Sequence, residues 1–179
     1  MRNIKLFDVS LRDGLQCLKK IYTLSEKKDL FHKILQKYSP DNIEIGSIVS
    51  PKKIPQMNNS LQLFKYSQKL NIKNVYMLTP NLKSTQIALD NNVKNFSLIT
   101  SVSNDFQLKN INKTLLETKD ELKDMVKLIK SKDTDKIKLY ISCINECPIQ
   151  GRINNKLIMD ELDYYIENYK DVIDEICLS

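Results

Sequence analysis

Six short apolar runs, each followed by a stretch with helical spacing, constrain this chain more than any other feature. The runs are Ile4–Ser10, Asn42–Ser47, Lys73–Thr79, Lys94–Thr100, Lys136–Cys143 and Val172–Leu178. Their β-branched, nearly continuous apolar character suits parallel strands covered on both faces. The intervening stretches are amphipathic. Thr23-Leu24-Ser25-Glu26 has the form of a capping box and leads into Leu30, Phe31, Ile34, Leu35 and Tyr38 at helical spacing. Pro40 stops that helix. Thr114-Leu115-Leu116-Glu117 repeats the capping pattern ahead of Leu122, Met125, Val126 and Ile129. Further helices are expected near 59–70, 82–91 and 155–169. No linker or low-complexity segment interrupts the alternation, so residues 1–179 read as one α/β domain with right-handed crossovers. Periodicity alone does not separate a doubly wound sheet from part of a barrel.

Size and charge narrow the choice. A chain of 179 residues buries a sizeable core. A complete eight-fold β/α barrel needs roughly 250 residues. The formal charge is +6, yet only three of the 28 basic residues are arginines: Arg2, Arg12 and Arg152. The lysines are interleaved with acids, as in Lys119-Asp120-Glu121-Leu122-Lys123-Asp124. That is the pattern of a solvated helix face, not of a nucleic-acid reader. A mild positive field suits a phosphorylated small molecule. A single histidine, His32, excludes a metal site built from two histidines of one copy. Cys17, Cys143, Cys147 and Cys177 lack zinc-ribbon spacing. No apolar run approaches the ~18 residues of a membrane-spanning helix. Met1-Arg2-Asn3 leads directly into the first run, with neither a signal nor a transit pattern, so the expected location is the cytoplasm, with reduced thiols.

Polar residues and glycines gather just after the strand runs. Arg12-Asp13-Gly14 follows the first, Glu44, Gly46 and Ser47 end the second, and Thr79-Pro80-Asn81 ends the third. Ser101 and Ser103 follow the fourth, and Cys143 to Gly151 follow the fifth. In a parallel α/β fold these ends share the face where ligands bind. Glu44 lies within an apolar strand and needs a partner, either a structural Arg or Lys or a site cluster. Taken alone, Arg12–Asp13 also reads as a surface ion pair at a helix start. Cys143 and Cys147 read as packing residues, and Tyr164, Tyr165 and Tyr169 as helix packing. His32 reads as solvent-exposed on the first helix.

Phe7-Asp8-Val9-Ser10-Leu11-Arg12-Asp13-Gly14-Leu15-Gln16 resembles the signature of the metal-dependent carbon–carbon lyase and Claisen-type synthase barrels. Leu15 is similar to the lyase branch, since the synthases usually carry Glu there. Ile43-Glu44-Ile45-Gly46-Ser47 with the loop Pro51 to Met57 resembles the lyase's second strand and loop. Thr79-Pro80-Asn81-Leu82 and Lys109-Asn110-Ile111-Asn112 fall where that family has similar segments. Tyr140-Ile141-Ser142-Cys143-Ile144-Asn145-Glu146-Cys147-Pro148 with Gly151-Arg152-Ile153 resembles its fifth strand and loop. The resemblance, to the 3-hydroxy-3-methylglutaryl-coenzyme A lyase family, runs from about residue 4 to the end.

That resemblance implies an α/β fold of the (β/α)8 TIM-barrel type, cut after the sixth strand. It implies cleavage of 3-hydroxy-3-methylglutaryl-CoA to acetyl-CoA and acetoacetate with a divalent cation, Mg²⁺ or Mn²⁺, and a place in leucine breakdown. Asp13 matches the family's metal-ligand Asp, and Arg12 the Arg that steadies the developing enolate oxygen. Glu44 and Gln16 match polar residues that line or support that site. Ser142, Cys143 and the loop to Arg152 match the region nearest the CoA arm, with Arg152 placed to meet a phosphate. The sequence departs from the family at Cys17, where Asn is common, and at Ser179, where Gly is. The family's H-x-H and Asn ligands lie on its seventh and eighth strands. The expectation is therefore one of the usual four protein ligands, with His32 unable to replace the rest. A separate chain carrying the missing C-terminal strands is an expected partner beside the acyl-CoA. The alternatives are a non-catalytic relative that binds CoA or a partner chain, and a Claisen-type synthase or aldolase.

Overall fold

The computed structural model describes residues 4–179; Met1, Arg2 and Asn3 lie outside the described residues, as does the expectation about a leader that rested on them. The strands are β1 (Phe7–Asp8), β2 (Asn42–Ser47), β3 (Val75–Leu78), β4 (Asn95–Ser101), β5 (Lys136–Ser142), β6 (Glu146–Cys147), β7 (Gly151–Arg152) and β8 (Glu175–Leu178). The helices are α1 (Leu24–Tyr38), α2 (Ser60–Lys69), α3 (Leu82–Asp90), α4 (Asn104–Ile111), α5 (Leu115–Lys130) and α6 (Asn155–Tyr169). Six strands form one sheet in the order β1-β2-β3-β4-β5-β8, every neighbouring pair parallel. Sequential order in a parallel sheet is that of a barrel wall, whereas a doubly wound sheet reverses direction at a switch point. The six strands therefore form a parallel half-barrel, in which β1 and β8 are the two edges. β6 and β7 make a small antiparallel hairpin beyond the end of β5.

The two faces of the sheet differ in chemistry because strand side chains alternate. One face sends Ile43, Ile45, Met77, Leu98, Leu139 and their neighbours into a shared apolar core with the helices. Phe31 of α1, Leu63 of α2, Ile129 of α5 and Tyr165 of α6 meet them there. The other face carries Glu44, Tyr76, Lys138 and Tyr140, all buried but outside that core. Lys138 Nζ stands 3.4 Å from the centre of the Phe7 ring and 3.1 Å from Glu175 Oε1.

Local signals set most boundaries. Thr23 and Thr114 each accept a hydrogen bond from the N–H of the Glu three residues on, and that Glu reaches back to the cap N–H. α1 ends at Tyr38, where Ser39 takes a left-handed conformation ahead of Pro40. Two expectations change. The first run supplies only a two-residue strand, because Asp8 Oδ1 accepts the Ser10 N–H and the chain then turns. His32 is half-buried and not exposed: its Nε2 lies 2.8 Å from Tyr66 Oη. α4 carries little apolar periodicity, its one buried residue being Gln107, which donates to Thr118 Oγ1 at 2.9 Å.

The loop between β2 and α2 is latched from below. Lys27 of α1 is buried and donates to the Gln56 carbonyl and to Asn59 Oδ1. With no carboxylate bonded to it, burial pushes its amine down to about 8. The unfolded chain then holds that proton more tightly than the folded one. Stability is therefore expected to rise as pH goes from about 8 towards 10.5, with a slope that Lys27→Met removes in urea titrations. Gly46 is required by the close approach of α2 to β2. A Cβ there would sit 2.6 Å from Ser60 Cβ and 3.3 Å from Ser60 Cα at the start of α2. Gly46→Ala is expected to lower unfolding stability by about 1–3 kcal/mol, with part of the loss recovered in Gly46→Ala/Ser60→Gly.

Candidate functional site

The candidate site begins with a wide turn over Ser10–Gly14 at the end of β1. The Val9 carbonyl accepts the N–H groups of Arg12, Asp13 and Gly14 at 3.1, 2.8 and 3.3 Å. Leu11 and Leu15 are buried on either side and pin the turn to the core. Arg12 is consequently turned inwards, 8% exposed, and Asp13 outwards. The surface-pair reading of these two residues is thereby corrected.

Glu44, wholly buried in β2, is the partner of Arg12. Arg12 Nε donates to Glu44 Oε1, and Tyr140 Oη of β5 donates to Glu44 Oε2 at 3.2 Å. Arg12 Nη1 donates to Asp13 Oδ1 at 2.6 Å, and its guanidinium lies 5.2 Å from the centre of the Tyr140 ring. Burial disfavours the Arg12 charge, but Glu44 and then Asp13 outweigh it and raise its pKa. Burial, reinforced by the Glu44 charge, pushes the Tyr140 phenol well above its ordinary value, so it stays a hydrogen-bond donor. The result is a fixed cation with part of its planar fork still directed at a cleft.

That cleft, of about 240 Å³, is lined by Arg12, Gln16, Ser50, Lys53, Asn110 and Lys113 among others. Among the described residues no acidic side chain lines it, and Leu78 and Ile99 supply apolar wall. Lys113 is held by Glu121, whose other oxygen accepts the Leu82 N–H at 3.2 Å. Such a surface can receive an anionic ligand with an apolar portion.

The residues singled out in the sequence divide into two groups. Arg12, Asp13, Glu44 and Gln16 come together at this cleft or directly beside it. Ser142, Cys143 and Arg152 do not line it. Ser142 Oγ lies 3.2 Å from Ser179 Oγ, Cys143 is buried, and Arg152 is exposed in β7 opposite Glu146. Tyr140, Lys53 and Lys113 take their roles from the structure alone, Tyr140 as a donor to Glu44 and the two lysines as cleft lining. The available signal for Tyr140 was a tyrosine in register with the polar, inward positions of an otherwise apolar strand.

The donor set fits a divalent cation poorly. Asp13 is an exposed carboxylate with one oxygen already taken by Arg12. Among the described residues no group of three or more His, Cys, Asp or Glu gathers as a metal site.

A parallel half-barrel with a buried Arg–Glu–Tyr cluster at the carboxyl ends of its strands defines the class, an α/β enzyme-type scaffold. The sequence matches the HMGL-like family over residues 3–167. The chain belongs to that family. It is 31% identical over 159 residues to the 3-hydroxy-3-isohexenylglutaryl-CoA/hydroxy-methylglutaryl-CoA lyase of Pseudomonas aeruginosa, covering 88% of this chain and 52% of the relative. The crystal structure of hydroxymethylglutaryl-CoA lyase from P. aeruginosa superimposes with a TM-score of 0.85 at 28% identity, over 99% of this chain and 58% of that one. An HMG-CoA lyase from A. baumannii, in complex with coenzyme A and 3-methylmalate, gives 0.84 at 26% identity, over 98% and 56%. The chain thus spans about half the length of the curated relatives it matches. No helix among the described residues is long and apolar enough to cross a membrane.

The Arg12–Glu44 pair makes a sharp energetic expectation. Removing one partner leaves an uncompensated buried charge. Glu44→Ala and Arg12→Ala are each expected to cost about 3–5 kcal/mol in denaturant unfolding, with the double variant well short of additive. Tyr140→Phe, which removes one hydrogen bond, should cost about 1 kcal/mol.

Proposed function

We propose that this chain supplies the enolate-stabilising part of a hydroxymethylglutaryl-CoA lyase-type site, and that a separate segment or chain supplies the rest of the barrel. The observation that carries the reading is the buried Arg12–Glu44–Tyr140 cluster, facing a cationic cleft at the strand ends. In the reaction, the substrate's C3 hydroxyl loses its proton and becomes a ketone. The C2–C3 bond breaks, and its electron pair passes to the thioester as an enolate, which takes up a proton to give acetyl-CoA. Arg12, fixed by Glu44 and permanently charged, is placed to hold the enolate oxygen, the step at which negative charge develops. Lys53 and Lys113 suit the anionic parts of an acyl-CoA. Asp13 has one carboxylate oxygen clear of Arg12, a single donor for Mg²⁺ or Mn²⁺, and no step is assigned to the ion on this chain's residues alone.

The scarcity of metal donors among the described residues favours a second reading, a protein that binds CoA without cleaving the acyl group. Three measurements test them, and the last separates the two. Titration of Mg²⁺ or Mn²⁺ into the isolated chain should show no specific binding. Acetyl-CoA should bind saturably without added metal, and Lys53→Glu should weaken it; no binding at millimolar ligand overturns both readings. Lyase activity should be absent from the isolated chain. It should appear when the part of the P. aeruginosa lyase outside the match is supplied, and fall by about 10²–10³-fold in Arg12→Gln. Failure of reconstitution with acetyl-CoA binding intact leaves the second reading.

A further inference from the structure

Two thiols meet in the loop after β5, among residues that do not line the Arg12 cleft. Cys143 follows β5 directly, is buried, and takes a left-handed backbone with φ 66°, uncommon for a side-chain-bearing residue. Cys147 lies in β6 and is also buried. Its sulfur is surrounded by donors. Ser103 Oγ lies 3.1 Å away and the Ile149 N–H points at it from 3.4 Å. Ser103 caps α4, and its oxygen already accepts the Phe106 N–H at 3.1 Å, so its own proton is available to Cys147. Both cysteines lie against the same short segment after β4: the Val102 N–H donates to the carbonyl of Ser142, the residue before Cys143, at 3.0 Å, and the next residue, Ser103, meets Cys147. Burial works against a Cys147 thiolate, but the Ser103, Gln150, Ile149 and Cys143 donors outweigh it and lower its pKa. Burial, partly offset by Ser101, pushes the Cys143 thiol up. A merely packed cysteine has apolar neighbours and is inert; a donor-ringed thiol beside a second thiol has the makings of a reactive pair.

We propose that Cys143 and Cys147 form an oxidation-sensitive dithiol, Cys147 attacking and Cys143 resolving, which a hydroperoxide converts to an intrachain disulfide. The Cys147 thiolate attacks one oxygen of hydrogen peroxide, the O–O bond breaks, and Cys147 sulfenic acid and one water result. The Cys143 thiolate then attacks that sulfur, the S–O bond breaks, and the departing hydroxide takes a proton to become the second water. Two thiols lose two electrons and two protons, and the peroxide is reduced to two waters. The bridge replaces the Ser103–Cys147 contact and ties the end of β5 to the hairpin that carries Arg152. Because both sulfurs are covered, local opening of the hairpin admits the oxidant. This inference is independent of the lyase reading.

The test uses the full, reduced chain treated with one equivalent of hydrogen peroxide at neutral pH. Remaining thiols are then alkylated and peptides mapped without reduction. The expected result is a Cys143–Cys147 bridge, reversed by dithiothreitol, with exposed Cys17 and half-buried Cys177 still alkylated. This mapping needs no variant. Cys143→Ser should stop at a Cys147 sulfenic acid trapped by dimedone. Ser103→Ala, checked as folded by circular dichroism, should slow bridging by about tenfold. Oxidation of Cys17 first, intermolecular disulfides only, or bridging only after urea unfolding would each overturn the proposal.

Discussion

Arg12 and Glu44 form the interaction on which the site depends. Neither charge is tolerable alone in a place so poorly hydrated, so each requires the other. Meeting that requirement takes three elements distant in sequence: the turn after β1, strand β2 and strand β5. The turn must send Arg12 inwards while Leu11 and Leu15 hold it down. Strand β2 must present Glu44 on the polar face of the sheet, and β5 must bring Tyr140 against both. A buried ion pair is a weak source of net stability, but it is a strong constraint on which arrangement the chain adopts.

The same constraint explains the contrast between the two faces of the sheet. The outer face is sealed by helices and carries the apolar core. The inner face holds Glu44, Tyr76, Lys138 and Tyr140, with Lys138 between aromatic rings and Glu175. Unpaired strand edges are normally blunted or covered, and here β1 and β8 both stand at the edge of the sheet. A charged inner face between two open parallel edges is the interior of a barrel wall. The HMGL-like relatives, about twice as long as this chain, set the scale of what completes such a wall.

Much of the fold was legible because it is written in local patterns. β2 spans Asn42–Ser47 and α6 spans Asn155–Tyr169, as the periodicity indicates, and both capping boxes form. α4 was not legible, since it buries Gln107 instead of an apolar stripe. The short β6–β7 hairpin left no periodic signal, being two residues on each side. At the site, the motif around Arg12, Asp13 and Gln16 was readable, and so was the need of Glu44 for a partner. Which cation satisfies Glu44 was not readable, because the answer lies 32 residues away in the chain. The roles of Tyr140, Lys53 and Lys113 were equally hidden, for they come from placement on a face or a rim.

The sequence by itself determined the alternation of strand and helix, the family motif, and the presence of a buried carboxylate in need of a cation. These are properties of neighbouring residues, set by period, capping and desolvation. Only the tertiary structure decided that the sheet is sequential and not doubly wound, that Arg12 faces in while Asp13 faces out, and that Ser142, Cys143 and Arg152 stand away from the cleft. Those outcomes depend on strand order and on which faces meet, and no local pattern encodes either.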